Sequence, residues 1–193
     1  MYGPAGRVGP GPRDPRLLPG AGPSGTYDGT LTLVGDEPHP PYDRPPLSKQ
    51  VLAAEWEPDR VALGTPADLA GHDLDLRLGV AATGLDLTAQ EVSLSDGRQV
   101  PYDGLIIATG VRPRRLPGEG AHVLRTLDDA LMLRERLAPG RRSVVVGAGF
   151  LGAEAAAVAR RLGAQVTLLE PADDPHPAAQ AVLELLTALY REP

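Results

Sequence analysis

Arg142–Glu170, RSVVVGAGFLGAEAAAVARRLGAQVTLLE, reads as one strand–turn–helix–strand unit shaped to hold a dinucleotide. Ser143 to Val146 is a short β-branched run suited to a buried parallel strand. Gly147, Gly149 and Gly152 then fall at the spacing G-x-G-x-x-G, with Phe150 between the second and third. Each glycine meets a separate steric need. Gly147 allows the tight turn, Gly149 lets the backbone approach a pyrophosphate, and Gly152 lets the new helix pack closely on the strand. The helix that follows is Ala-rich, presents its N-terminal amides and positive dipole end to the phosphates, and ends at Gly163, a suitable C-cap. A second strand, Val166 to Leu169, delivers Glu170 to where an acid accepts hydrogen bonds from an adenosine ribose. A glycine triplet alone is weak evidence, since a kinase-type loop or a packing-only turn can carry it. Here no lysine-bearing strand follows, and strand, helix and acid arrive in the dinucleotide order. Glu170 favours NADH over NADPH, because a carboxylate repels a 2′-phosphate and no basic residue follows it directly.

Composition narrows the rest. The 193 residues, 42% of them hydrophobic, suffice for one ordinary core or two small ones. A formal charge of −6 with no basic–aromatic cluster argues against a nucleic-acid partner. The sequence has no cysteine, which excludes disulfides, thiolate metal sites and a C-x-x-C redox pair. With no signal-like start and no apolar run long enough for a bilayer, a cytoplasmic protein without membrane contact is expected. His39, His72, His122 and His176 are isolated and read as surface residues, and no metal site is expected.

Residues 1–25 are roughly half Gly and Pro, a composition that resists packed structure, so a disordered segment is expected over 1–26. Beyond it, Thr30 to Val34 reads as a strand and Tyr42 to Lys49 as an extended, proline-rich stretch. Alternating runs at Leu74–Leu78 and Val92–Leu94, with a turn at Asp96-Gly97, predict a small antiparallel meander. Leu105 to Ala108 predicts a buried apolar strand. Thr126 is the expected N-cap of a helix over Leu127 to Leu137, with Asp128 and Asp129 in its first turn, and a last helix is expected over Ala178–Tyr190.

Three further stretches precede the glycine motif in order: LTLVGDEPHPPYDRPPLSKQVLAAEW, LSDGRQVPYDGLIIATGVRPRRLP and VLRTLDDALMLRERL. Together they make the chain resemble the FAD-dependent NADH:ferredoxin reductases of the rubredoxin and putidaredoxin type, over about residues 27–190. The resemblance implies a doubly wound α/β, Rossmann-like FAD/NAD(P)-binding fold, incomplete and with a small meander. It divides the chain into a partial FAD-binding domain at 27–140 and a partial NAD-binding domain at 141–193. It implies FAD and NAD as cofactors and a ferredoxin-type iron–sulfur protein as electron acceptor. By the same resemblance, Asp36 faces the FAD ribose, and Arg44, Pro45 and Lys49 lie along the flavin. Cations there would stabilise the reduced, anionic ring. The resemblance further implies that Ala82 contacts adenine through its backbone, that Thr109 and Gly110 end a strand beside the cofactor, that Arg125 contacts FAD, and that Glu154 sits near the nicotinamide.

Two features depart from that family pattern. No strand and glycine turn for the FAD pyrophosphate precede Thr30, and the chain stops at Pro193, within the NAD domain. A copy truncated at both ends or frame-shifted is therefore expected, its first residues resembling GC-rich DNA read in a foreign frame. Three readings follow. The first is an oxidoreductase passing electrons from NADH through FAD to a ferredoxin, with the chemistry carried by cofactors and no side-chain nucleophile. The others are a nucleotide-holding remnant without turnover, and a non-catalytic module whose sheet edges pair with another chain.

Overall fold

The computed structural model describes residues 30–65, 68–69, 74–117 and 120–170. The expectations for residues 1–26, for the helix at Ala178–Tyr190, and for His72 and His176 lie outside them. The described residues divide between two compact units, one within Met1–Asp43 and Ala62–Arg112, the other within Arg44–Val61 and Pro113–Pro193.

In the first unit β1 (Leu31–Gly35) and β2 (Leu74–Leu78) pair in parallel, Leu31 opposite Leu74 and Leu33 opposite Leu76. Thr32 Oγ1 donates to Asp75 Oδ2 at 3.1 Å across that pair. β3 (Ala82–Asp86), β4 (Glu91–Leu94) and β5 (Gln99–Pro101) form an antiparallel meander in that order. Its second turn is the expected Asp96-Gly97. Gly97 takes a φ of +86°, and the Asp96 carboxylate accepts the Arg98 N–H at 3.0 Å. Ala82, Leu94 and Val100 form the buried cluster of this unit, with Val34, Val80 and Val92 packed on it.

Two expectations are corrected here. Leu74–Leu78 is a strand but not part of the meander, whose first strand is Ala82–Asp86. Alternation marks a strand without naming its neighbour, and the partner is set by the leucines of β1 that meet Leu74 and Leu76. Leu105–Ala108 is neither a strand nor buried. Ile106 and Ile107 are 76% and 67% exposed, and among the described residues no strand lies beside them to take their backbone hydrogen bonds.

The second unit is built on the stretch from Arg44 to Val61 and on the dinucleotide segment. Tyr42–Lys49 is not extended throughout. Tyr42 makes an isolated antiparallel bridge to Ala62, but Pro45–Ser48 is one turn of 3-10 helix. Prolines at its first two positions lack only N–H groups that a helix start would leave unsatisfied. The turn buries Pro46, Leu47 and Ser48 and is followed by Val51 and Leu52, 0% and 1% exposed. Full burial of those two side chains contributes about 1.5–3 kcal/mol each.

α1 (Leu127–Arg136) starts on a reciprocal capping box. The Thr126 hydroxyl accepts the Asp129 N–H at 3.1 Å and Asp129 Oδ2 accepts the Thr126 N–H at 2.9 Å. β6 (Arg142–Val146), α2 (Phe150–Arg161) and β7 (Gln165–Leu169) follow, and β6 and β7 pair in parallel, as the glycine motif requires. α2 ends on Gly163 at φ +85°. The Gly163 N–H bonds Arg160 O and the Ala164 N–H bonds Ala159 O, the Schellman arrangement. β6 was expected to be buried, but it is covered on one face only. Val144 and Val146 of β6 and Leu169 of β7 are about half exposed or more, because α2 packs on the opposite face, near Val145.

Candidate functional site

The glycine turn between β6 and α2 distributes its three glycines as the motif requires. Gly147 has a φ of +100°, a left-handed conformation that closes the turn, and its N–H bonds Leu169 O at 2.7 Å. A Cβ built on Gly149 would meet nothing within 4 Å, so this part of the backbone faces open space. A Cβ on Gly152 would land on the Gly147 carbonyl oxygen, well inside van der Waals contact, and 3.0 Å from its carbon. Close helix-to-turn packing thus depends on that missing side chain. Gly149 caps α2 without a side chain, and no acid occupies the first turn, so the helix start keeps its positive end toward the open side. Phe150 is exposed at that first position.

Glu170, next after β7, turns its carboxylate back onto this loop, where Oε2 accepts the Ala148 N–H at 2.5 Å. The acid is therefore at the mouth of the turn, within reach of whatever the turn holds. An open cradle, a helix N-terminus and an adjacent acid fit the pyrophosphate and ribose of a dinucleotide.

A second group of the expected residues converges in the same unit. Glu154, in the second turn of α2, is bound through both carboxylate oxygens. Lys49 Nζ meets Oε1 at 2.8 Å, and Ser48 Oγ donates to Oε2 at 2.5 Å. Lys49 Nζ also donates to Pro45 O at 3.2 Å, on the exposed side of the 3-10 turn. Arg44 Nη1 donates to the Arg125 carbonyl at 2.8 Å, and the Arg125 N–H donates to Asp129 Oδ2 at 2.9 Å, so the capping box of α1 also holds the backbone of Arg125. Two surface ion pairs lie farther along the stretch, Glu55 with Arg161 of α2 at 2.8 Å and Glu57 with Arg134 of α1 at 2.9 Å. Hydrogen bonding to Arg134 holds the Glu57 carboxyl below the usual range. Guanidinium and ammonium groups along one short turn have the chemistry to hold an anionic flavin.

The remaining expected residues belong to the other unit. Asp36 directly follows β1, Ala82 is the buried first residue of β3, and Thr109 and Gly110 lie beyond Leu105–Ala108, with Gly110 at φ +63°. His39 is not isolated, since its ring stands edge-on to Tyr42 with centroids 6.4 Å apart, and Tyr42 Oη bonds the Glu37 carboxylate. His122 shares a 2.8 Å contact with Arg136 Nη1. Among the described residues no cluster of acids and histidines could hold a metal, and no helix is long and apolar enough to cross a membrane. Sequence reasoning missed Ser48 and the Ala148 amide. Ser48 adjoins Lys49 in the P-P-L-S-K motif, but nothing in the motif announces its burial.

A parallel strand–turn–helix–strand unit with an open glycine turn and a terminal acid defines a Rossmann-like nucleotide-binding α/β protein. The chain belongs to the pyridine nucleotide-disulphide oxidoreductase family, whose family model matches residues 21–189. It is 45% identical over 152 residues to the ferredoxin–NAD(+) reductase component of the p-cumate 2,3-dioxygenase system of Pseudomonas putida, covering 76% of this chain and 38% of that protein. Rhodocoxin reductase of Rhodococcus erythropolis is 41% identical over 169 residues, covering 85% of this chain and 39% of the relative. Among solved structures, the covalent putidaredoxin reductase–putidaredoxin complex matches with a TM-score of 0.76 and 36% identity, over 83% of this chain and 42% of that one. The chain thus spans about two-fifths of the length of these relatives.

Proposed function

We propose that the chain serves an NADH-dependent flavoprotein of the ferredoxin reductase type. FAD, when bound, would take up the reducing equivalents of NADH and release electrons singly to a ferredoxin-type iron–sulfur protein. In this reading the amides at the start of α2, from Gly149 onward, hold the NADH pyrophosphate while Gly147 closes the turn, and Glu170 accepts from its ribose. Arg44, Pro45, Lys49, Thr109, Gly110 and Arg125 border the flavin, Asp36 and Ala82 its adenosine half, and Glu154 the nicotinamide. Phe150 and Gly152 shape the start of α2 around the nucleotide. The flavin part runs over 27–140 and the nucleotide part over 141–193, and the protein works in the cytoplasm. The observation that carries the reading is the meeting of Lys49, from the stretch that resembles a flavin loop, with Glu154, two residues past the last glycine, at 2.8 Å. Two independently read motifs converge there.

A second reading, a nucleotide-holding protein without turnover, is favoured by the exposure of Ile106 and Ile107, which precede Thr109 by three and two positions. One titration series separates the two. NADH and FAD are added in turn to the purified chain, NADH being followed by quenching of the single tryptophan, Trp56, and FAD by the shift of its visible absorbance. Saturable binding of both supports the reductase reading, NADH alone supports the second, and neither refutes both.

A further inference from the structure

Ser48 is a buried polar side chain with one charged target. It is 2% exposed, the most buried polar residue among those described, and its hydroxyl donates to Glu154 Oε2 at 2.5 Å. A hydroxyl taken out of water needs a partner, and a carboxylate is the strongest one available to it. The neighbouring Lys49 holds the other oxygen of the same carboxylate at 2.8 Å, but the two anchors differ in rigidity. The Lys49 side chain is 44% exposed and shares its ammonium with Pro45 O. Ser48 sits on a 3-10 turn secured by the burial of Leu47, Val51 and Leu52. Glutamate alone would exchange among several rotamers, and one exposed ion pair is too weak to select one.

We propose that Ser48 is a positioning residue that locks the Glu154 carboxylate in the orientation that faces Lys49. Its consequence for NADH rests on the function proposed above, whereas the orientation itself does not. Serine suits the position because its short side chain carries the hydroxyl donor that reaches Glu154.

Lys49 is the only lysine in the sequence, so an amine-acylating reagent reports this one ammonium by peptide mass, apart from the N-terminal amine. The full chain, Ser48→Ala, Ser48→Thr, Glu154→Gln and the Ser48→Ala/Glu154→Gln double variant are treated with an N-hydroxysuccinimide acetate. Ser48→Ala and Glu154→Gln should each accelerate Lys49 acylation, by about three- to fivefold. Ser48→Thr should restore the parent rate, the double variant should exceed Glu154→Gln by nothing, and Trp56 emission should stay constant. Acylation of Ser48→Ala at the parent rate overturns the proposal. So does an effect additive to Glu154→Gln with shifted Trp56 emission, since the turn has then simply come away from α2. NADH titration of the same set should show Ser48→Ala weakened as much as Glu154→Gln. Absence of NADH binding by the parent defeats the proposed function and leaves the acylation result to decide the role of Ser48.

Discussion

Gly152→Ala is the sharpest test of how α2 meets the glycine turn. In an exposed helix interior the change would stabilise by roughly 0.8–1 kcal/mol through helix propensity. Here the new methyl lands on the Gly147 carbonyl oxygen, and the obstructing atoms are backbone. That peptide cannot swing aside freely, because its own N–H, on Ala148, is held by Glu170 Oε2 at 2.5 Å, and Gly147 already has a φ of +100° with its N–H on Leu169 O at 2.7 Å. Overpacking against a fixed neighbour costs about 1–3 kcal/mol, and this contact belongs at the upper end. The propensity gain offsets part of it, leaving a net loss of about 2 kcal/mol, or roughly 4–8 °C in Tm for a chain of this size. Thermal and urea unfolding of the parent and variant, read by circular dichroism, measure it. Gly149→Ala is the internal control. Its φ of −68° suits any residue and its Cβ direction is empty, so stability should change by less than about 0.5 kcal/mol while NADH affinity falls. An unchanged or raised Tm for Gly152→Ala would show that the helix does not approach the turn as described.

Other expectations follow from the same geometry. Glu170→Gln keeps an acceptor for the Ala148 N–H while removing the charge, so NADH should lose its advantage over NADPH with little change in stability; an unaltered ratio of the two affinities removes Glu170 from the site. Asp86, held low by the Ala89 and Thr88 amides, Asp96, held low by Arg98, and Glu57, held low by Arg134, all have folded-state values beneath their ordinary 3.8, 3.8 and 4.5. Their contribution is full above those ordinary values and is lost as pH falls through the lowered ones, so urea midpoints should drop on acidification below about pH 4.5; Asp86→Asn should flatten that slope, and a midpoint that rises toward pH 3 contradicts the assignment. The isolated chain should purify colourless and reduce ferricyanide slowly with NADH, because Ile106 and Ile107, just before the expected flavin contacts Thr109 and Gly110, stand 76% and 67% exposed; stoichiometric yellow flavin after purification would overturn this.

The sequence by itself determined the local units whose signals are short-range. The order strand, G-x-G-x-x-G, Ala-rich helix, strand and acid had one economical solution, because each glycine answers a steric need within a few residues of it. Thr126 with Asp129, and Asp96-Gly97, were legible for the same reason, since a cap and a hairpin turn close over three or four residues. What depended on distant partners was decided only by the tertiary structure. LDLRL could be read as a strand, but only the leucines of β1 determined that it pairs in parallel and leaves the meander to Ala82–Asp86. LIIA has the composition of a buried strand, yet a strand exists only where a neighbour takes its hydrogen bonds, and Ile106 and Ile107 stand exposed without one among the described residues. Residues 48 and 154 are 106 positions apart, a separation no local pattern spans. The burial of Leu47, Val51 and Leu52 fixes the 3-10 turn that presents the Ser48 hydroxyl and the Lys49 ammonium to a single carboxylate.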